Sequence, residues 1–244
     1  MSENFVTAVL VCAGNSTRMG LDVSKQLIPI LGKPAIEYTL TAFTRSTLTD
    51  EIVIVCRESD AEQIKNIVAD GNFTKVKRIV NGGSTRSESV QNGVNVCSEN
   101  TTHIAVHDGA RILITADDID KVIRCGILNK AAALGVPVTD TIKTVDEKGF
   151  ITSTPKRSEL VAIQTPQVFE KNLYLGACKN MSQLGEEITD DCMIVEKNGV
   201  RVLVVTGNVD NIKLTVSRDI DYAEMIIKKD RLVQSKKDSK GNLL

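Results

Sequence analysis

The chain has no tryptophan, and aromatic residues make up only 3 % of its 244 positions. The stacking platforms that hold single-stranded nucleic acid are therefore missing, and the core has to be aliphatic. No apolar run approaches the roughly 18 residues that cross a bilayer. The longest, Ala8 to Ala13, is short and has no basic segment before it, so the chain reads as cytoplasmic. Neither sign of charge is in excess: 30 Lys+Arg against 31 Asp+Glu leave −1. No net field draws the protein to a nucleic acid polymer or an anionic membrane, and any anion must be held locally. The six cysteines form no C-x-x-C and no zinc spacing. Several lie in apolar runs such as Leu10-Val11-Cys12 and Ile54-Val55-Cys56, where a thiol acts as a small hydrophobe. The two histidines, His103 and His107, lack the third ligand and the helix that a metal pair would need.

What is present, 42 % hydrophobic and 25 % charged residues, suits one globular domain. Over the first 137 residues, β-branched runs alternate with segments of helical spacing, which points to βαβ units. The runs predict strands over Thr7 to Val11, Glu51 to Cys56, Lys75 to Val80, His103 to Val106 and Ala131 to Val136. Helices are expected over Pro34 to Arg45, Ser59 to Val68, Ser84 to Val96 and Asp117 to Lys130. After Pro137, Thr139 to Val145 and Phe150 to Thr154 alternate around a turn ending in Gly149, as a β-hairpin arm would. The chain then returns through Gln164-Thr165-Pro166-Gln167 to a helix from Lys171, another near Asp190, a strand Arg201 to Thr206 and a last helix from Arg218. The expectation is a Rossmann-like α/β fold, with a mostly parallel sheet flanked by helices and a protruding arm near residues 138–158. One domain spans 1–230, and the lysine-rich end, 231–244, reads as a flexible, solvated tail.

Three loops follow strand carboxyl ends, where open α/β sheets bind ligands. The first is Ala13-Gly14-Asn15-Ser16-Thr17-Arg18-Met19-Gly20, with Lys25-Gln26 beyond it. Small residues let amides surround an anion, and Arg18 and Lys25 add full charge, so a phosphate cradle is the natural reading. It is neither a P-loop nor a G-x-G-x-x-G. The second is Asn81-Gly82-Gly83-Ser84-Thr85-Arg86-Ser87-Glu88-Ser89, which either approaches a base or phosphate or is simply a capped turn. The third is Val106-His107-Asp108-Gly109-Ala110-Arg111, whose acid and base either pair or face substrate hydroxyls. Asp190-Asp191 reads as an acidic first turn, with Thr189 able to bind an anion at the helix start. No Ser-His-Asp set, Cys-His pair or zinc triad can be assembled. A phosphate monoester, already charged, needs no general base, and its reaction with a nucleoside triphosphate needs positioning and positive charge.

These loops, together with Asp140-Thr141-Ile142-Lys143, Gln164-Thr165-Pro166-Gln167, Thr189-Asp190-Asp191 and Asn211-Ile212-Lys213, resemble the 2-C-methyl-D-erythritol 4-phosphate cytidylyltransferases, from about Ala8 to Ile226. The resemblance implies CTP and methylerythritol phosphate as substrates, CDP-alcohol and pyrophosphate as products, and Mg²⁺ bound mainly through the CTP phosphates. It implies that Arg18 and Lys25 stabilise charge at the α-phosphorus. Ala13, Gly14, Ser16, Lys25, Gly83, Ser84 and Ser89 would hold CTP, while Asp108, Arg111, Thr141, Arg157, Thr165, Thr189 and Lys213 would hold the sugar phosphate. It also implies a homodimer with interlocking arms. Ser24 and Ile112 stand where the family usually has proline, and Val161 where an aromatic is common. The sister reading is a ribitol 5-phosphate cytidylyltransferase, and a reading of another class is a silent nucleotide sensor. Gly109-Ala110 and Ile142-Lys143 favour methylerythritol phosphate.

Overall fold

The computed structural model describes residues 4–14, 24–181 and 188–241. The chain opens with strand β1 (Val6–Val11), which leads through the first loop to a 3-10 turn at Lys25–Leu27 and a small hairpin, β2 (Pro29–Ile30) and β3 (Lys33–Pro34). There follow α1 (Ala35–Arg45), β4 (Glu51–Cys56), α2 (Ala61–Asp70), β5 (Val76–Asn81), α3 (Arg86–Asn95), β6 (His103–Asp108), α4 (Ala116–Asn129) and β7 (Ala131–Pro137). The arm carries β8 (Thr144–Val145) and β9 (Ile151–Ser153), and the chain continues with β10 (Val161–Glu170), α5 (Lys171–Met181), α6 (Asp191–Glu196), β11 (Leu203–Thr206) and α7 (Arg218–Gly241).

Among the described residues the main sheet has seven strands in the order β11-β7-β10-β6-β1-β4-β5. Every pairing in it is parallel except those of β10, which runs antiparallel to both β6 and β7. Period-two alternation sorts the central strands onto two faces. Ala8 and Leu10 of β1 and Ile52 and Ile54 of β4 pack with α1 and α4, while Val9, Val53 and Val55 pack with α3. Because both faces are covered, these strands read as continuous apolar runs.

Local chemistry sets the element ends. Thr85 accepts from the Glu88 amide while the Glu88 carboxylate accepts from the Thr85 amide, a capping box that starts α3. Thr115 caps α4 through the Asp118 amide. Gly149 lies at φ +83°, the left-handed conformation the arm's turn requires.

Two expectations are corrected. The arm's strands are shorter than predicted, because residues 139–154 are exposed and lack a packing partner among the described residues. Gln164-Thr165-Pro166-Gln167 is no connection but the middle of β10, where the register against β7 shifts and the Thr165–Pro166 peptide is cis. The last helix runs to Gly241. A small third cluster, with Ile28, Ile30, Ala110, Ile112, Leu214 and Ile227, ties α7 and the β2–β3 hairpin to the loop after β6.

Candidate active site

The site lies at the carboxyl ends of β1, β5 and β6. A cleft of about 400 Å³ is walled by Ala13 and Gly14 of the first loop, Gly83 to Arg86 and Ser89 of the second, and by Lys25, Asp108 and Lys213. A smaller hollow of about 200 Å³ adjoins it, lined by Arg111, Gln164, Thr165, Gln167, Thr189 and Asp190. Arg86, Asp108 and Lys213 line both, so the two lobes share one charged wall. Among the described residues, a roomier groove along α7 is lined by that helix alone and gathers no polar groups from a second element.

The first and second loops touch. A Cβ on Gly82 would stand 2.3 Å from the Ala13 Cβ, so only glycine lets the loops close on each other. A Cβ on Gly109 would come within 2.3 Å of Cys12 Sγ, so packing alone explains a glycine there. Within the second loop several donors are already engaged. The Gly83 amide donates to Ser89 Oγ at 3.0 Å, and the Ser84 amide and hydroxyl donate to Glu88 at 2.7 and 2.5 Å. The loop is therefore rigid before any ligand arrives.

Asp108 is the centre of the shared wall. Lys213 Nζ lies 2.8 Å from Oδ2, Arg86 donates to Oδ1 at 3.4 Å, and Arg111 Nε is 3.8 Å from Oδ2. Burial alone would raise this carboxyl, but the cations of Arg86, Lys213 and Arg111 outweigh it and bring it down to about 2. Arg111 donates to the carbonyl of Asn211, which is itself fully buried and donates to Gln164 Oε1 and the Thr165 carbonyl. In this way the segment carrying Lys213 is fastened to β10.

Arg86 reaches further than the sequence reading allows. Its Nη1 donates to Asp191 at 2.7 Å, and Asp191 also accepts from the Tyr174 hydroxyl at 2.7 Å. Burial would lower the guanidinium, but Asp191 and Asp108 hold it above its ordinary value and keep it charged. Asp191, in the acidic first turn expected of it, is thus a buried ion-pair partner. The cap of α6 is Asp190, which accepts from the Met193 amide, while Gln167 Oε1 accepts from the amides of Asp191 and Cys192. The opening amides of α6 are occupied, so any anion binding here falls to the exposed Thr189 hydroxyl.

Ala13, Gly14, Lys25, Gly83, Ser84 and Ser89 meet in the larger lobe, and Arg111, Thr165 and Thr189 in the smaller, with Asp108 and Lys213 in both. Thr141 and Arg157 line neither lobe; both are exposed, and Arg157 donates to the Thr139 carbonyl. Ser16 and Arg18 lie outside the described residues. Ser24 is bonded to Asp60 and Arg57, Ile112 is buried in the third cluster, and Val161 stands exposed at the start of β10. Sequence reasoning missed Asp191, Gln167, Asn211 and His107, and placed Arg86 no further than a donor in a loop. Arg86 carried a signal in its position beside the capping hydroxyls, and the other four stand in segments read for their neighbours.

Burial pushes Cys56 and Cys178 up to about 11 and Cys97 to about 12, so these three thiols are not nucleophiles. His107, wholly buried, is pushed down to about 4 by desolvation, against the opposing pull of Asp108. Since the fold prefers the neutral ring, its contribution is complete above pH 6.5 and is lost as pH falls toward 4. We expect a loss of about 3 kcal/mol across that window. Urea unfolding at about pH 7 and pH 4.5 measures it, and an equally steep loss in His107→Asn would exclude the ring as its source.

A two-lobed site rich in positive charge and poor in nucleophiles suits a nucleotidyltransferase. Residues 6–229 match the family described as IspD, 2-C-methyl-D-erythritol 4-phosphate cytidylyltransferase, and the chain belongs to it. A protein of that name from Caldanaerobacter subterraneus is 42 % identical over 225 residues, covering 92 % of this chain and 99 % of the relative. Another from Clostridium botulinum is 39 % identical over 229 residues, covering 94 % and 99 %. The solved 4-diphosphocytidyl-2C-methyl-D-erythritol synthase from Anaerococcus prevotii superposes with a TM-score of 0.82 at 28 % identity, covering 92 % of this chain and 96 % of that one.

Proposed function

We propose that the chain joins CTP to 2-C-methyl-D-erythritol 4-phosphate, giving the CDP-alcohol and pyrophosphate in non-mevalonate isoprenoid synthesis. The observation that carries this reading is the pair of lobes meeting at Asp108, Arg86 and Lys213. CTP occupies the larger lobe between the first and second loops, where Ala13, Gly14, Ser16, Gly83, Ser84 and Ser89 hold it. The alcohol phosphate occupies the smaller lobe, on Asp108, Arg111, Thr165, Thr189 and Lys213. A phosphate oxygen of the alcohol phosphate forms a bond to the α-phosphorus of CTP as the bond to the bridging β-phosphate oxygen breaks, and pyrophosphate departs with that electron pair. No side chain needs to remove a proton, because the nucleophile is already an anion. Lys25 and Arg18 oppose the negative charge that develops around the α-phosphorus.

The donor set bears on how a metal is held. The site offers cations, amides and a carboxylate already engaged by three cations, and among the described residues no cluster of three acidic, histidine or cysteine side chains could hold an ion. These residues fit Mg²⁺ carried by the triphosphate oxygens, where it neutralises charge on the leaving group. The compartment we assign is the cytoplasm, where CTP is made.

Pyrophosphate release tests the reading. With CTP and Mg²⁺, methylerythritol phosphate should react much faster than ribitol 5-phosphate. Equal or reversed rates would reassign the substrate, and CTP binding with no release from either would make the protein a sensor.

The homodimer belongs to the same proposal. Val145, Phe150 and Ile151 on the arm are more than half exposed, and Thr141 and Arg157 line no lobe of their own chain. An arm exchanged with a second copy covers that apolar surface and brings Thr141 and Arg157 to the partner's site. Lys25→Ala and Arg157→Ala, each inactive, should recover activity when unfolded and refolded together. Mixed dimers then hold one intact site and one doubly damaged one, so about a quarter of wild-type activity returns. Silence from the mixture, with mixed dimers verified by tagging, would mean each arm serves its own chain.

A further inference from the structure

His107 lines neither lobe. Its ring is fully buried behind Asp108, tilted against Phe43 with ring centroids 5.1 Å apart. Both ring nitrogens nevertheless face fixed partners, and those partners settle where its proton sits. Nε2 lies 3.2 Å from the Arg111 carbonyl oxygen, which can only accept, so Nε2 carries the hydrogen. Nδ1 of the neutral ring is then a bare acceptor, 3.0 Å from Thr165 Oγ1, and the one hydrogen available between them is that of the threonine. Desolvation keeps the ring neutral at working pH, which excludes a proton on both nitrogens.

The consequence falls on Thr165. A hydroxyl has one hydrogen and two lone pairs. Its hydrogen goes to His107 Nδ1, and one lone pair accepts the Asp108 amide at 3.1 Å. What remains of its hydrogen-bonding capacity, on a residue that lines the smaller lobe, is a single lone pair. We propose that His107 is a positioning residue that makes Thr165 an obligate acceptor, so that Thr165 takes a hydrogen bond from a hydroxyl of the alcohol phosphate and turns away its phosphate oxygens. The substrate is thereby oriented end for end: its hydroxyls go to Thr165, and its phosphate goes to the cations at the shared wall. This rests on the placement of the alcohol phosphate in the smaller lobe.

The side-chain amides of Asn and Gln separate the two ring positions. Asn at 107 can place an acceptor oxygen near the site of Nδ1, whereas Gln reaches the site of Nε2 and leaves Thr165 without its acceptor. His107→Gln should raise KM for the alcohol phosphate about 10-fold and leave KM for CTP unchanged, and His107→Asn should recover most of that loss. Thr165→Val should raise the same KM, and the double variant His107→Gln/Thr165→Val should be no worse than Thr165→Val alone. Equal damage from Asn and Gln, a rise in both KM values, or additive losses in the double variant would overturn the proposal and leave His107 a packing residue. The wild-type protein supplies a test that no folding defect can obscure. Side-chain ¹⁵N shifts of labelled histidine should show His107 protonated on Nε2, and a proton on Nδ1 would overturn the assignment. A wild-type protein that shows this tautomer yet turns over no alcohol phosphate would refute the substrate placement instead.

Discussion

Lys25→Ala lowers turnover by at least about 100-fold at saturating CTP, the size expected when a charged donor is withdrawn from developing negative charge in a site that excludes water. Lys25 begins the 3-10 turn Lys25–Leu27 and is 9 % exposed on the wall of the larger lobe, so its ammonium acts where solvent screens it little. The loss should fall mainly on kcat, because the charge it opposes grows as the bond to the leaving pyrophosphate breaks. Arg18→Ala is expected to behave alike. Steady-state kinetics with both substrates decide the matter, and melting curves verify that the variants are folded. Near wild-type turnover in Lys25→Ala would remove the lysine from the reaction.

Asp191→Ala destabilises the fold by about 3 kcal/mol, since it removes the shorter of the two ion pairs on a half-buried guanidinium and leaves only the longer contact to Asp108. The Asp191 side chain is 1 % exposed and its Arg86 partner 28 %, and the Tyr174 hydroxyl loses its acceptor in the same step. The exposed pair Lys33–Glu37 offers the contrast: the lysine is 53 % exposed, and Glu37→Gln should cost less than about 1 kcal/mol. Urea unfolding of the two variants side by side measures the difference. If Asp191→Ala lost no more than Glu37→Gln, the link between α3 and α6 would not hold the site together.

Where burial on both faces wrote itself into a continuous apolar run, the strand ends could be read to within two residues. The strand expected over Glu51 to Cys56 is β4 at both ends, and α1, α3 and α4 begin within two residues of their predicted starts because Pro34, Thr85 and Thr115 punctuate them. The arm was legible in kind and not in length, for alternation alone cannot say how far two exposed strands stay paired. β10 was not legible. Thr165 and Pro166 interrupt it with polar and ring chemistry that argues against a strand, and only its pairing with β6 and β7 overrides that local preference.

The same boundary divides the site. Cradle glycines, capping hydroxyls and lone cations are local patterns, and the order of the strands brings their loops to one edge, so the sequence by itself determined an α/β fold with Ala13, Gly14, Lys25, Gly83, Asp108, Arg111 and Lys213 around two adjoining lobes. It did not determine which of those groups are engaged. Arg86 and Asp191 lie 105 residues apart, and His107 and Thr165 lie 58 apart. A buried charge or a fixed hydroxyl hydrogen takes its state from whichever partner the fold sets within about 3 Å of it once water is gone, and spacing along the chain carries no record of that distance. Only the tertiary structure, by pairing β10 with β6 and joining α6 to α3 through Asp191 and Arg86, decided that Asp108 is ringed by three cations and that Thr165 Oγ1 lies beside His107 and the Asp108 amide.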